Sequence, residues 1–104
     1  MTDECCQKGS RKQNKLNDLK RDFDILNDVN RLRILCLIKE HDEICVCDIY
    51  KNLNLPQNLV SYHLSKLKET GFVKSKKQGV KVLYSQGGKK INDFQKIINN
   101  LFTK

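Results

Sequence analysis

The hydrophobic pattern of this chain changes period once, at Thr70-Gly71, and that change constrains the fold more than any other feature. Before it, apolar residues recur at spacings of three and four, the repeat of helices with one buried face. Leu16, Leu19, Phe23 and Leu26 define such a stripe over Lys12 to Leu26. Asp28 is a good N-cap for a second helix, Arg31 to Lys39, carrying Leu32, Leu35 and Ile38. A third helix is expected from about Cys45 to Leu53. Asn54-Leu55-Pro56 then reads as a tight turn, with proline suited to open the fourth helix, Gln57 to Glu69. Gly71 can take the left-handed conformation that ends it. After the change, Phe72-Val73-Lys74 and Val80-Lys81-Val82-Leu83-Tyr84 alternate or are β-branched, as strands do. Ser75-Lys76-Lys77-Gln78-Gly79 between them is expected to form a basic hairpin tip. Gly87-Gly88 breaks the pattern, and Ile91, Phe94, Ile98 and Leu101 mark a last helix. Helix, helix, helix–turn–helix, hairpin, helix is a mainly α fold with a small β wing: a winged helix–turn–helix.

At 104 residues the chain fits one domain, 12–104, preceded by a polar tail, 1–11, that carries Cys5-Cys6 and is expected to be flexible. So small a core makes a dimer plausible. Lys and Arg number 20 against 12 Asp and Glu, a formal charge of +8, which favours a polyanionic partner through counterion release. No stretch approaches the roughly 20 apolar residues that span a bilayer, so no membrane partner is expected. The first ten residues lack the apolar segment of a secretory signal, so a cytoplasmic location is expected. Five cysteines in a reducing compartment point to metal binding or redox chemistry before disulfides.

On a helical wheel at about 100° per residue, Val60, Leu64 and Leu67 of the fourth helix fall on one side and should face the core. Asn58, Ser61, Tyr62 and Ser65 fall opposite, with Lys66 at the edge and Gln57 at the helix start. Amides and hydroxyls reach base edges and lysine reaches phosphate, so this face suits a major groove of double-stranded DNA. A plain solvated face is the alternative for the helix taken alone; the preceding helix, the tight turn and the basic hairpin weigh against it. His63 lies nearer the core side and reads as a packed histidine. Lys76 and Lys77, expected at the wing tip, suit backbone phosphates, with solubility as their alternative role.

Cys45-Val46-Cys47 stands at the expected start of the third helix. Residues two apart on a helix point about 200° apart, so a regular helix cannot chelate one ion with both. At a helix N-terminus the first cysteine can sit on non-helical backbone, and the positive end of the helix favours thiolate. Cys5 and Cys6, adjacent on the tail, can both reach one large soft ion where the backbone extends. Two thiolates from the tail and one or two from the helix make three or four sulfur ligands. Three suit trivalent arsenic or antimony; four suit cadmium, lead or zinc. Cys36, between Leu35 and Leu37, is expected in the core.

These residues resemble the ArsR/SmtB family of metal-sensing winged-helix repressors. Glu43-Ile44-Cys45-Val46-Cys47-Asp48-Ile49 is similar to that family's metal-binding box, Asn30-Arg31-Leu32-Arg33-Ile34-Leu35 to its second-helix signature, and Val60 to Leu67 to its recognition helix. The resemblance covers about Leu16 to Tyr84. It implies a homodimer joined through the first and last helices, sitting on a palindromic operator without ion and released when an ion binds. It also implies that Cys5 and Cys6 of one subunit join Cys45, and less directly Cys47, of the other. The family's second site, on the last helix, uses Asp, His and Glu; here Lys89 to Phe102 offers only Asp93. Adjacent tail cysteines match one group of arsenic repressors, whereas cadmium and lead sensors space theirs apart. Arsenite or antimonite, As(III) or Sb(III), is therefore the expected inducer, ahead of Cd(II) or Pb(II).

Three other readings compete. Cys5 or Cys6 could sense oxidants or persulfide, with Cys45 as the resolving thiol. A Cys–His enzyme is a poor fit, because His41 and His63 accompany no glycine-rich loop or carboxylate cluster. A basic protein coating DNA without specificity would also explain the charge; an operator reader differs from it by keeping a large specificity ratio over random DNA.

Overall fold

The computed structural model describes residues 11–103, and side chains from 15 onwards. The order is α1 (Arg11–Leu26), α2 (Val29–His41), β1 (Glu43–Cys45), α3 (Val46–Leu53), α4 (Gln57–Thr70), β2 (Val73–Gln78), β3 (Lys81–Gln86) and α5 (Gly88–Phe102). This is the winged helix–turn–helix expected from the change of period. Cys5, Cys6 and residues 1–10 of the expected tail lie outside the described residues; Arg11, expected as the last tail residue, already belongs to α1. Among the described residues no helix is long and apolar enough to cross a membrane.

Local chemistry sets the boundaries. Asp28, in extended backbone, accepts hydrogen bonds from the backbone N–H groups of Asn30 at 2.8 Å and Arg31 at 3.2 Å, and so caps α2. Its helix therefore starts two residues before the expected Arg31. Two helix ends turn alike: Asn54 (φ 53) after α3 and Gly71 (φ 88) after α4 adopt the left-handed conformation. Leu55 and Phe72 then donate back to Tyr50 and Leu67, satisfying carbonyls that the helices leave open.

The core is Ile34 and Ile38 from α2, Ile44 from β1, Ile49 from α3, Val60, Leu64 and Leu67 from α4, with Phe72 and Val73. The expected inward face of α4 is thus the buried one. Cys36 is exposed, against the expectation that it joins the core. Ile34 and Ile38 define the inner face of α2, and a residue two positions from each points about 200° away.

Two strand features depart from the sequence reading. In place of a connection and a helix start, β1 is a three-residue strand that joins a sheet of order β1-β3-β2, pairing Ile44 with Tyr84 and Cys45 with Leu83. Asp42 (φ 55) ends α2 and turns the chain into it. The wing is also longer than expected. β2 and β3 pair through Gln78↔Lys81, leaving Gly79 (φ 63) and Val80 as the turn. Lys76 and Lys77 therefore lie within β2, not at the tip. This part of the ribbon projects beyond the core, so backbone pairing holds it without the alternation that betrays a half-buried strand.

Gly87 fastens the start of α5 to the end of α4. Its N–H donates to the Phe72 carbonyl at 2.8 Å, and a Cβ there would fall 1.8 Å from the Gly71 carbonyl oxygen. Lys90 then reaches Asp22 of α1 at 2.8 Å, where the carboxylate is almost fully buried.

Candidate metal centre and DNA-reading surface

Cys45 is both the last residue of β1 and the N-cap of α3, with extended backbone at φ −80, ψ 154. This non-helical backbone removes the 200° problem. Its Sγ lies 2.8 Å from Cys47 Sγ, on the second residue of the helix. The Cys45 thiol also donates to Asp48 Oδ2 at 3.2 Å. Ligand atoms of Cys45, Cys47 and Asp48 all lie within 4.8 Å of one another. Cys45 is buried, Cys47 half-buried and Asp48 exposed, so the cluster is open on one side. A depression of about 230 Å³ beside it is lined by His41, Glu43, Asp48, Asn52 and Lys81.

The donor set is two soft sulfurs and one carboxylate oxygen, which fits a soft or borderline ion and is incomplete for one. Asp48 is not among the ligands expected from the sequence. The available signal is its position: three residues after the N-cap, an acidic side chain reaches back towards the helix start. The helix end does not by itself make Cys45 a thiolate. Sharing a proton with Cys47, burial and the nearby Asp48 carboxylate hold this thiol above the ordinary range, and only the Asp48 backbone N–H opposes them.

The second surface is the outer face of α4. Gln57, Asn58, Ser61, Tyr62 and Ser65 are exposed and Lys66 is half-buried, while Val60, Leu64 and Leu67 are fully buried. The Ser65 hydroxyl donates to the Tyr62 carbonyl at 2.7 Å, which leaves its oxygen able to accept a further hydrogen bond. The Asn58 side-chain oxygen accepts from the Leu59 N–H at 3.0 Å, leaving its NH2 group outward. The Tyr62 ring is flanked by the Arg31 guanidinium and the Lys66 ammonium, each 5.7 Å from its centroid. His63 is packed, as expected, and only 4% exposed. Lys77 is exposed, and Lys76 is partnered by Glu43 at 2.8 Å across the sheet. That pair is solvent-exposed and therefore weak.

A helix–turn–helix with a polar outer face, followed directly by a basic wing, defines a winged-helix DNA-binding regulator. The chain belongs to the ArsR family of bacterial regulatory proteins, whose pattern residues 28–75 match. It is 35% identical over 79 residues to an uncharacterised HTH-type transcriptional regulator of Methanocaldococcus jannaschii, covering 76% of this chain and 89% of that one. It is 44% identical over 62 residues to the cadmium resistance transcriptional regulatory protein CadC of Listeria innocua, and equally to the arsenical resistance operon repressor of Escherichia coli K12. Each match covers 60% of this chain, but only 52% of the cadmium regulator and 53% of the arsenical one, so the chain spans about half their length. Among solved structures it is similar to the homodimeric winged helix–turn–helix domain of Mb0332 from Mycobacterium bovis. The TM-score is 0.73 at 23% identity, covering 91% of this chain and 87% of that one. The relatives are transcriptional regulators and not enzymes, which removes the Cys–His enzyme reading.

Proposed function

We propose that this regulator is a metal-responsive repressor: a homodimer that holds double-stranded operator DNA without ion and leaves it when As(III) or Sb(III) binds cysteine thiolates. The observation that supports an ion on thiolates is the convergence of Cys45 and Cys47, 2.8 Å apart, at the start of the helix that precedes the DNA-reading helix. Cys45 supplies one thiolate, and Cys5 and Cys6 supply two from the tail of the partner subunit. Three thiolates complete the pyramid that trivalent arsenic adopts. The adjacency of Cys5 and Cys6 is the feature that favours arsenite. Gln57, Asn58, Ser61, Tyr62 and Ser65 read bases, while Lys66, Lys76 and Lys77 meet phosphates.

Dimerisation through α1 and α5 is supported by what those helices leave uncovered. No residue of α5 is fully buried. Phe23 of α1 is 47% exposed, Leu101 41% and Phe102 85%. Apolar surface of this kind on α1 and α5 suits burial against a second copy.

A second reading, a cadmium or lead sensor, is favoured by Cys47 and Asp48, which add a fourth sulfur and an oxygen. Titration of the reduced protein with arsenite and with cadmium, followed by thiolate-to-ion absorbance and by release of bound DNA, separates the two. Cys47→Ser should spare the arsenite response and weaken cadmium binding. Uptake of neither ion by the wild type refutes both and leaves thiol oxidation as the signal.

A further inference from the structure

His63 lies on the buried side of the reading helix, one residue from the exposed Tyr62. Its Nδ1 accepts a hydrogen bond from Arg31 Nε at 3.0 Å. An arginine nitrogen can only donate, so Nδ1 carries no proton and the ring proton sits on Nε2. Nε2 faces Asp28 Oδ1 at 3.9 Å. The same guanidinium donates through Nη1 to the carbonyl of Ile25, in the last turn of α1, at 3.0 Å. Its central carbon lies 5.7 Å from the centroid of the Tyr62 ring. Arg31 itself stands in the first turn of α2, where its backbone N–H is held by Asp28. One half-buried side chain therefore joins the end of α1, the start of α2, and both the inner and the outer side of α4.

We infer that Arg31 is a positioning residue for DNA reading: it fixes the roll of α4 through His63 and the seat of the Tyr62 ring, without itself contacting a base. The inference rests on the reading of the outer face of α4 as the DNA-reading surface. Its chemistry needs arginine. Nε and Nη1 point in two fixed directions, to an imidazole nitrogen and to a carbonyl, while the central carbon stays 5.7 Å from the phenol centroid. A lysine ammonium keeps the charge and the reach but cannot hold both acceptors in that fixed geometry. Because one of the three anchors is the end of α1, the reading helix takes its position from a helix proposed to form the dimer.

The test uses a DNA duplex selected from a random pool by the wild-type protein, with random duplex as comparison. Arg31→Lys should lower affinity for the selected duplex by about tenfold or more, while binding to random duplex and its salt dependence stay near wild type. Three results would overturn the inference. The first is a fall in thermal midpoint with the selected-to-random ratio unchanged, which makes the role structural only. The second is rescue by lysine alongside a loss of about one unit of salt slope in Arg31→Gln, which makes Arg31 a phosphate contact. The third is a proton on Nδ1 of His63 in the nitrogen-15 spectrum of the wild-type protein. If Arg31→Lys does not fold, His63 carries the same test. His63→Gln keeps an acceptor and should keep the ratio; His63→Leu should lose it, and equal ratios in the two refute the inference. Ser61→Ala and Tyr62→Ala serve as controls on the reading surface: if both leave the ratio intact, that surface is elsewhere, whatever Arg31 does.

Discussion

Replacing Gly87 by alanine tests the junction that ties α5 to the rest of the fold. The alanine Cβ would fall 1.8 Å from the Gly71 carbonyl oxygen and 2.9 Å from its carbon. Backbone atoms cannot swing aside as a side-chain tip does, so α5 must retreat by more than an ångström. The retreat breaks the Gly87 N–H to Phe72 carbonyl hydrogen bond of 2.8 Å. Losing that bond costs about 0.5–1.5 kcal/mol, and forcing a methyl group into a packed contact costs about 1–3 kcal/mol. The expected loss is therefore about 1.5–4.5 kcal/mol, or roughly 6–36 °C in thermal midpoint for a domain of this size. At Gly88, the next residue, an added Cβ would meet nothing within 4 Å, and the backbone there is already helical. Gly88→Ala should be neutral or stabilise by up to about 0.5–1 kcal/mol. Urea and thermal unfolding of the two variants, with dimer content measured alongside, read the difference. Near-equal stabilities would refute the claim that close backbone approach, and not helix propensity, dictates glycine at position 87.

The remaining predictions concern other fixed points. Asp28→Ala should cost about 1 kcal/mol, the usual loss for an N-cap. Burial raises the Asp28 carboxyl, but hydrogen bonds from the backbone N–H groups of Arg31 and Asn30, with the Arg31 guanidinium nearby, outweigh it and leave it below the ordinary value of 3.8. A depressed carboxyl contributes its stability above that value and loses it as pH falls through the folded-state value. The gap between wild type and Asp28→Ala, followed by urea unfolding, should therefore be constant at neutral pH and narrow below about pH 4. Lys90→Met should cost about 2–3 kcal/mol by leaving Asp22 buried and unpaired, whereas Lys20→Met, from an exposed pair with Asp24, should cost under about 0.5 kcal/mol. Lys76→Gln should change stability by less than about 0.5 kcal/mol yet lower the salt slope of DNA binding by about one.

The parts legible in the sequence are those with a long repeat. The stripe of α1 and the two faces of α4 each run for several turns, so periodicity finds them without tertiary knowledge. β1 spans only three residues and pairs with a strand about 40 positions later, so its existence depends on β3 and not on its own composition. The length of the wing is hidden for a related reason: Lys76, Lys77 and Gln78 carry no alternation, because neither side of that ribbon is buried. Cys36 has apolar neighbours in sequence, but its angle around the helix, and not its neighbours, decides its exposure. At the thiol cluster the two cysteines are readable from type and position. Asp48 becomes a partner only through the capping geometry of α3. The bond from Arg31 to His63 spans 32 positions, and no local pattern announces it.

The placement of Cys45 also bears on how an ion could reach the DNA surface. This residue closes β1, where it pairs with Leu83 of β3, and it opens α3, which leads through Asn54-Leu55-Pro56 into α4. Any ligand that draws the Cys45 sulfur outward loads two structures at once: the strand that carries the wing and the helix before the reading helix. The two routes can be separated. Leu83→Ala removes side-chain bulk on β3 beside Cys45 without touching a thiol or the α3–α4 turn. If the wing carries the signal, this variant should bind ion with near wild-type affinity and bind DNA without ion. It should nevertheless lose most of the coupling between the two, which is typically about 1–3 kcal/mol. The coupling is read as the ratio of DNA affinities with and without ion. An unchanged ratio in Leu83→Ala would place the route in α3, and a lost ion affinity would show that Leu83 shapes the site itself.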